Sequence, residues 1–246
     1  MATLSGRRFA PTLQGTVLAL VGIVSVGNLG MWQLDRAGEK RQILEQIAAG
    51  AASVRPLTSV DAELPRYQTV TATGRYDSDR QVLLDNMPSR HGMPGYRVLT
   101  PFEVREGGWI LVDRGWLPIG QSRAVLPNVA VEGNERTIRG RLDELPRPGI
   151  RMGSSTSSES WPRVMNFPEH ADLERALGRP LARYIVRLDS SEPDGFERAG
   201  IVAPDFGPGR HIAYAVQWFG LGLVILIVYV LLSFRNKHTD DRTGSV

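Results

Sequence analysis

Two long stretches without a charged residue constrain the fold of this chain more than any other feature. Residues 9–34 and 211–234 contain no Asp, Glu, Lys or Arg and are predominantly apolar. A helix over 211–234 rises about 36 Å at about 1.5 Å per residue, and the hydrocarbon core of a bilayer is about 30 Å thick. The sequence therefore predicts two transmembrane helices, one towards each end, with a domain over residues 35–210 outside the membrane.

The first stretch is interpreted as an uncleaved anchor rather than a signal peptide. A secretory signal has an apolar segment of about 7–15 residues followed by a small-residue cleavage site. Residues 9–34 are longer than this, and no such site follows them before Asp35. The stretch is rich in Gly and other small residues, which allow close approach of two membrane helices, so residues 211–234 are its expected partner.

The charge distribution predicts the orientation in the membrane. The tails, residues 1–8 and 235–246, hold five Lys and Arg and two Asp, whereas residues 35–210 hold 24 basic and 24 acidic residues. Cytoplasmic flanks of membrane helices carry an excess of Lys and Arg. We expect a two-pass protein of a bacterial inner membrane, with both termini cytoplasmic and the middle domain periplasmic. The short leader before residue 9 favours a bacterial protein over an imported organellar one.

Composition excludes several classes of site. The sequence has no cysteine. Disulfides, thiolate-ligated zinc or iron–sulfur centres and covalently attached c-type haem are therefore ruled out. The whole formal charge of +3 lies in the tails, so the isoelectric point near 9.5 does not indicate a nucleic-acid partner.

The middle of the chain predicts a mostly antiparallel β domain led by a helix, which makes the whole an α+β membrane protein. Residues 35–50 continue a helical pattern that Gly50 is expected to stop. Short segments rich in β-branched and aromatic residues follow, separated by Gly and Pro. A short helix is predicted over 168–177, and strands are predicted over 67–73, 81–84, 96–104, 109–113, 137–142 and 183–188.

A residue with metal-binding chemistry lies at the outer end of the second apolar stretch. On a helix, His211, Tyr214 and Trp218 share one face at positions i, i+3 and i+7. An imidazole above two aromatic rings can ligate the iron of a flat apolar cofactor such as haem. An interfacial His within the ordinary belt of Tyr and Trp gives the same pattern, and spacing alone favours this second interpretation.

Five short motifs occur in a fixed order along the chain. They are Gly30-Met31-Trp32-Gln33-Leu34-Asp35-Arg36 with Lys40; Tyr67 through Tyr76; Leu84-Asp85-Asn86 followed by residues 95–102; Val112-Asp113-Arg114-Gly115-Trp116-Leu117-Pro118; and His211-x-x-Tyr214-x-x-Gln217-Trp218-Phe219. In this order, bracketed by two membrane spans, they resemble the Surfeit-locus family of cytochrome oxidase assembly proteins. One departure is Met87, because the family often has Arg after the Asp-Asn pair.

The resemblance implies an assembly factor for haem-copper cytochrome c oxidase and not an enzyme. Bacterial members of the family are associated with binding haem a and delivering it to the catalytic subunit. The resemblance therefore implies transient haem a binding at the outer membrane surface, with His211 as the iron ligand. Expected partners are the oxidase catalytic subunit, membrane lipid and, as a further candidate, a haem a synthase.

Other residues near the outer membrane surface have candidate roles beside such a cofactor. Tyr214 and Trp218 can stack on or edge the macrocycle. Basic side chains can face the haem propionates, and the candidates are Arg210, Arg36 and Lys40. Trp32 and Gln33 can form a facing wall. Helix-end anchoring by these charges and aromatic rings is the competing interpretation for each of them.

Two rival functions remain open from the sequence. One is a cofactor-free membrane scaffold that stabilises oxidase assembly intermediates. The other is a membrane-anchored periplasmic enzyme using His91 with Asp113 or a Ser, but the sequence lacks a nucleophile elbow and a metal-binding His pair. Asp113 and Arg114 are instead expected to form a structural ion pair near a turn.

Overall fold

The computed structural model describes residues 7–60, 63–89, 91–120, 122–146, 160–198 and 207–236, so the predicted tails lie mostly outside the described residues. The chain forms two compact units, one of residues 1–43 with 203–246 and one of residues 44–202. The elements in chain order are β1 (Arg7–Phe9), α1 (Leu13–Ala52), β2 (Val54–Pro56), β3 (Thr69–Tyr76), β4 (Val82–Pro88), β5 (Pro94–Val104), β6 (Trp109–Pro118), β7 (Arg136–Asp143), β8 (Arg163–Met165), α2 (His170–Leu177), β9 (Ile185–Leu188), α3 (Pro208–Ser233) and β10 (Phe234–Asn236).

The chain has two helices that are long and apolar enough to cross a membrane, and the first unit contains residues 13–43 of one and the whole of the other. They are α1, which has 40 residues, and α3, which has 26. Few of the side chains in their apolar segments are buried within the protein, as expected for surfaces that face lipid. The prediction of a two-pass membrane protein with a helix at each end of the middle domain is confirmed.

The two helices meet along a row of small residues on α1. A Cβ atom on Gly22 would stand 3.4 Å from Ile225, and one on Gly222 would stand 3.2 Å from Val26. At the end away from His211, β1 pairs antiparallel with β10 and the Phe9 and Phe234 rings meet edge to face at 5.4 Å. Because Gly22 and Gly222 have no side chains, the backbones of the two helices can approach closely, as in other membrane helix pairs.

Helix α1 continues unbroken past the predicted membrane boundary and ends at Ala52 rather than at Gly50. The reason for glycine at position 50 is the close approach of another segment. A Cβ atom there would stand 2.1 Å from the backbone oxygen of Tyr67, which no side chain tolerates. Gly50 thus permits contact with the segment leading into β3 instead of stopping the helix.

The second unit is built on a closed ring of five strands in the order β3, β7, β9, β6 and β5, with β5 pairing back to β3. Strand β2 extends the sheet beside β3, and β4 with β8 extends it beside β5. Five of the pairings are antiparallel and three are parallel. The predicted mostly antiparallel β domain with a little helix is confirmed, and each strand of the ring pairs with a neighbour on both sides.

Strand β5 passes through Pro101, which has no backbone N–H to donate to a neighbouring strand. On one side of β5, pairing with β4 stops at Leu99 and pairing with β3 starts at Phe102. The Pro101 carbonyl points to that side, where it accepts a hydrogen bond from the Asp77 backbone at 2.9 Å. Pro101 therefore lies between the end of the β4 pairing and the start of the β3 pairing. No neighbouring strand needs a hydrogen bond from its backbone nitrogen there, so the sheet loses none.

Apolar side chains fill the ring and a second layer beneath α2. Val70, Phe102, Val112 and Val186 are completely buried in the ring core. The outer layer packs Leu173 and Leu177 of α2 on buried leucines and other apolar side chains of the extended sheet: Val82, Leu84, Leu99, Leu111, Met165 and Ile185. Helix α2 ends at Gly178 in the left-handed conformation, as predicted for its C-terminus.

Arg114 is buried, and the predicted ion pair between Asp113 and Arg114 is wrong. The register of β5 against β6 shifts at this point, so Arg114 is the extra residue of a β-bulge. Its guanidinium donates to the carbonyls of Val129 at 2.8 Å and Asp194 at 2.7 Å and to Oε1 of Gln81 at 3.0 Å. Burial lowers the pKa of Arg114 below its ordinary value. The bulge thus directs a cation inward to join strand β6 to two loops.

Candidate functional site

The candidate site begins with a hydrogen bond between the two membrane helices. Nδ1 of His211 on α3 donates to Oε1 of Gln33 on α1 across 2.8 Å. A carbonyl oxygen only accepts hydrogen bonds, so this contact requires the ring proton on Nδ1. In the neutral imidazole, Nε2 then carries the lone pair that can bind a metal.

Local sequence explains why His211 stands at this place. Gly207 precedes α3 in an extended conformation, and Pro208 occupies the first helical position, where its fixed φ and missing N–H are tolerated. His211 therefore lies in the first turn of α3, at the end of its apolar segment. Gln33 follows Gly30 by three residues, which places its side chain on the same face of α1.

The aromatic neighbours of His211 on α3 differ in their exposure. Ala215 is almost completely buried, which shows that positions i and i+4 face the contact with α1. Trp218 follows that row and is partly buried, whereas Tyr214 is 41% exposed. His211, Tyr214 and Trp218 therefore keep the spacing of the predicted common face, on which Trp218 is the more buried ring and Tyr214 the more exposed one.

On α1, Trp32 points away from the row that contains Gln33. Its side chain is about half exposed, and the Arg36 guanidinium lies 5.7 Å from the centre of its ring. Arg36 also forms an exposed ion pair with Glu39 at 2.7 Å. Arg210 is exposed in the first turn of α3. The structure thus joins Gln33 to His211, and separately joins Trp32 to Arg36.

Two further histidines lie in the unit of residues 44–202. His91 is exposed in the loop between β4 and β5. Nε2 of His170 on α2 is 3.2 Å from the carbonyl oxygen of Leu181 and 3.5 Å from Glu174. Within the described residues, no cluster of three or more His, Cys, Asp or Glu could hold a metal ion. The fourth histidine, His238, lies outside the described residues.

A row of alternating charges lies over the strand ring and lines an open cleft of about 300 Å³. Asp113 accepts from Nε of Arg97 at 2.6 Å and lies 3.9 Å from Arg187. Asp143 accepts from Arg187 at 3.2 Å and from Nε of Arg66 at 2.8 Å. Each carboxylate is shared by two arginines, so the row has the chemistry of an ion-pair network linking strands. It does not bring Asp113 within reach of His91 as a catalytic pair.

The residues at the His211 end fit a haem group by the chemistry of their donors. A single imidazole with its Nδ1 proton engaged offers Nε2 to iron, as metal-binding histidines commonly do. Indole and phenol rings beside it suit the face or edge of a macrocycle. The sequence identified the histidine and its aromatic neighbours, while Gln33 was assigned only to a facing wall.

Comparison with known proteins gives consistent matches over most of the chain. A family model of the SURF1 family matches residues 19–223, which include most of α1, the strand ring and most of α3. A SURF1-like protein of Rickettsia conorii is 26% identical over 220 residues, which cover 87% of this chain and 88% of that protein. A SURF1-like protein of Rickettsia felis is 24% identical over 226 residues, covering 89% and 96%.

A mycobacterium also contains a similar protein. An uncharacterized SURF1-like protein of Mycobacterium tuberculosis is 27% identical over 228 residues, covering 88% of this chain and 82% of that protein. These matches agree with the motifs that pointed to the Surfeit-locus family. Because the family model covers far more than half of its length, this chain belongs to the SURF1 family, known for cytochrome oxidase assembly factors.

Proposed function

We propose that this protein binds haem a through His211 at the periplasmic surface of the inner membrane and aids its insertion into the oxidase catalytic subunit. The observation that supports this most directly is the 2.8 Å hydrogen bond from Nδ1 of His211 to Gln33. It orients the ring and leaves Nε2 as the nitrogen for iron. Membership of a family of oxidase assembly factors supplies the biological setting.

The position of His211 suits a cofactor with a long apolar tail. The residue opens an apolar helix whose side chains are mostly exposed to the lipid. A tail can therefore remain in the hydrocarbon phase while the macrocycle lies at the membrane surface. Tyr214, the more exposed ring, and the partly buried Trp218 would flank the macrocycle, and Trp32 would lie on the α1 side.

Two arginines are candidates to hold the propionates. Arg210 is exposed one residue before His211. Arg36 forms an exposed ion pair with Glu39. Exposed ion pairs contribute little stability, so Arg36 can leave the Glu39 carboxylate and bind a haem propionate at small cost in free energy. A guanidinium can bind a carboxylate through two parallel hydrogen bonds. These contacts would orient the cofactor without any covalent chemistry by the protein.

Release is as important as binding for this role. One imidazole ligand gives a weaker hold than two strong axial ligands would. Partners in the proposal are the oxidase catalytic subunit and, as a further candidate, a haem a synthase.

The test is a haem spectrum of the full-length protein purified in detergent from cells that make haem a. Wild type is expected to carry a haem a signal, and His211→Ala should lose it. His91→Ala is the matched control, because His91 is an exposed histidine far from α3 in sequence, and it should retain the signal. Loss in both variants, or retention in His211→Ala, would reject His211 as the ligand.

A second outcome distinguishes the cofactor-free scaffold. Wild type purified without any haem a, together with normal oxidase assembly in a strain carrying His211→Ala, would reject the carrier. That result would leave stabilisation of assembly intermediates as the function. Haem a in wild type together with failed oxidase assembly in the variant would support delivery.

A further inference from the structure

We propose that Gln33 is a positioning residue for His211: its amide oxygen holds the Nδ1 proton and thereby presents Nε2 to haem iron. This inference rests on the proposed function, because it assigns a role to a residue that supports the ligand. The two side chains are 178 positions apart in the sequence and meet at 2.8 Å. No other hydrogen bond between side chains of α1 and α3 in the described residues involves a nitrogen that can bind a metal.

The chemical nature of Gln33 sets the strength of the ligand. A partner that accepts the Nδ1 proton fixes the tautomer and raises the basicity of the opposite nitrogen. A carboxylate does this strongly, because its negative charge draws the proton and gives the ring imidazolate character. A neutral amide oxygen does it weakly. Glutamine therefore orients His211 while keeping the bond to iron weak enough for transfer.

The location of Gln33 also makes the ligand dependent on the packing of the helices. Gln33 is partly buried on the face of α1 that carries Gly22, Val26 and Gly30. These residues contact α3 or would crowd it. Any displacement of α1 along α3 would therefore lengthen the hydrogen bond and free the imidazole to rotate. Ligand orientation and helix packing are coupled through this one side chain.

The first measurement is of the protein without haem. Full-length protein in nanodiscs, labelled with ¹⁵N at histidine, reports which ring nitrogen carries the proton, and His211→Ala assigns the signal among the four histidines. Wild type is expected to show the Nδ1–H form of His211. Gln33→Leu should show a mixture of the two tautomers. Asn28→Leu is the matched control, because Asn28 is an exposed amide of the same helix that bonds to the Val24 carbonyl.

The second measurement is of haem a binding and transfer by the same proteins. Gln33→Leu should weaken haem affinity by about 10- to 100-fold, the usual effect of removing a partner of a metal-binding histidine. Gln33→Glu should slow transfer of haem to apomyoglobin and make the reduction potential more negative. Asn28→Leu should match wild type in affinity, transfer rate and potential.

The outcomes separate this inference from the proposed function. If wild type binds haem a and the Gln33 variants show wild-type affinity and potential, the role of Gln33 is rejected while the carrier stands. If wild type binds no haem a, both are rejected. A tautomer mixture in Gln33→Leu together with weaker haem binding supports the role of Gln33. Faster haem transfer by Gln33→Leu and slower transfer by Gln33→Glu would distinguish this role from a general loss of folding, which would change both variants in the same direction.

Discussion

Gly30 on α1 lies against the Phe219 ring on α3, so closely that a Cβ atom on Gly30 would stand 2.6 Å from Cε1 of that ring. The contact lies one helical turn from Gln33 along α1. Phe219 therefore occupies the volume that a side chain at position 30 would need. The pair fixes how closely the helices approach near the candidate haem ligand.

We expect Gly30→Val to weaken haem a binding and lower the melting temperature. The new side chain forces the Phe219 ring aside, and overpacking of this kind costs about 1–3 kcal/mol. Gly30→Val combined with Phe219→Ala should recover much of both losses, since the second change removes the clash. Haem occupancy and thermal unfolding of the detergent-solubilised protein measure the effect.

Gly27→Val is the control for that experiment. A Cβ atom on Gly27 has no neighbour within 4 Å among the described residues. The same substitution three residues away should therefore leave haem binding near wild type. Equal losses from both substitutions would show that β-branched residues harm α1 generally and that the contact with Phe219 is unimportant.

Tyr76 is buried in the strand ring with a hydroxyl that has no hydrogen-bond partner among the described residues. Its ring packs edge to face on Phe102 at 5.1 Å, a contact that phenylalanine would keep. We therefore expect Tyr76→Phe to leave stability at pH 8 unchanged or to raise it by about 1 kcal/mol, because an unpaired buried hydroxyl is removed. A clear fall in melting temperature at pH 8 would contradict the burial of an unpaired hydroxyl.

The same residue predicts how stability changes in alkaline solution. Burial raises the pKa of Tyr76 to about 12, whereas an unfolded tyrosine ionises near pH 10. Between about pH 10 and 12 the unfolded chain loses this proton and the folded chain keeps it, so stability falls as pH rises, by about 2–3 kcal/mol in total. Tyr76→Phe should lose less stability than wild type between pH 9 and 11, measured by thermal unfolding. Parallel losses in the two proteins would reject the assignment.

The helices and longer strands could be predicted because their signals are local. Apolar length identified α1 and α3, and β-branched runs identified β3, β5 and β6. The short strands β2 and β8 have no such signal. Each has three residues and exists because β3 or β4 offers a parallel neighbour, so only the tertiary structure defines it.

The candidate site shows the same division between local and distant information. His211 could be found from its place at the start of a charge-free helix. The contact with Gln33 and the exposure of Tyr214 depend on which face of α3 meets α1, and Ala215 rather than Tyr214 sets that face. The spacing of residues along α3 does not determine how the helix is rotated about its own axis relative to α1. Likewise, the β-bulge at Arg114 depends on the register of β6 against β5, in which Asp113 is paired and Arg114 is the extra residue. Local sequence does not determine that register, so it could not predict that the two side chains have different partners.

Arg114 should be among the most sensitive positions of the β unit. Arg114→Met removes the donor from two loop carbonyls and from Gln81 while keeping a long side chain. We expect a loss of about 3 kcal/mol or more, because buried acceptors are left unpaired. Arg114→Lys should also destabilise, since an ammonium cannot reproduce the planar fork. Thermal unfolding, followed by tryptophan fluorescence, measures the loss of stability. Arg75→Met is the control, because Arg75 is exposed. Equal melting temperatures for Arg75→Met and Arg114→Met would contradict a structural role for Arg114.

The absence of cysteine allows a direct test of the proposed orientation. Single cysteines introduced by Ser190→Cys, on the β unit, and by Ser245→Cys, in the C-terminal tail, are the only thiols in each variant. If both termini are cytoplasmic, as the basic tails predict, a membrane-impermeant maleimide should label Ser190→Cys in intact spheroplasts and should label Ser245→Cys only after lysis. Ser5→Cys should behave like Ser245→Cys, because two crossings place both tails on one side. Labelling of a tail cysteine before lysis would reverse the orientation and move His211 to the cytoplasmic surface.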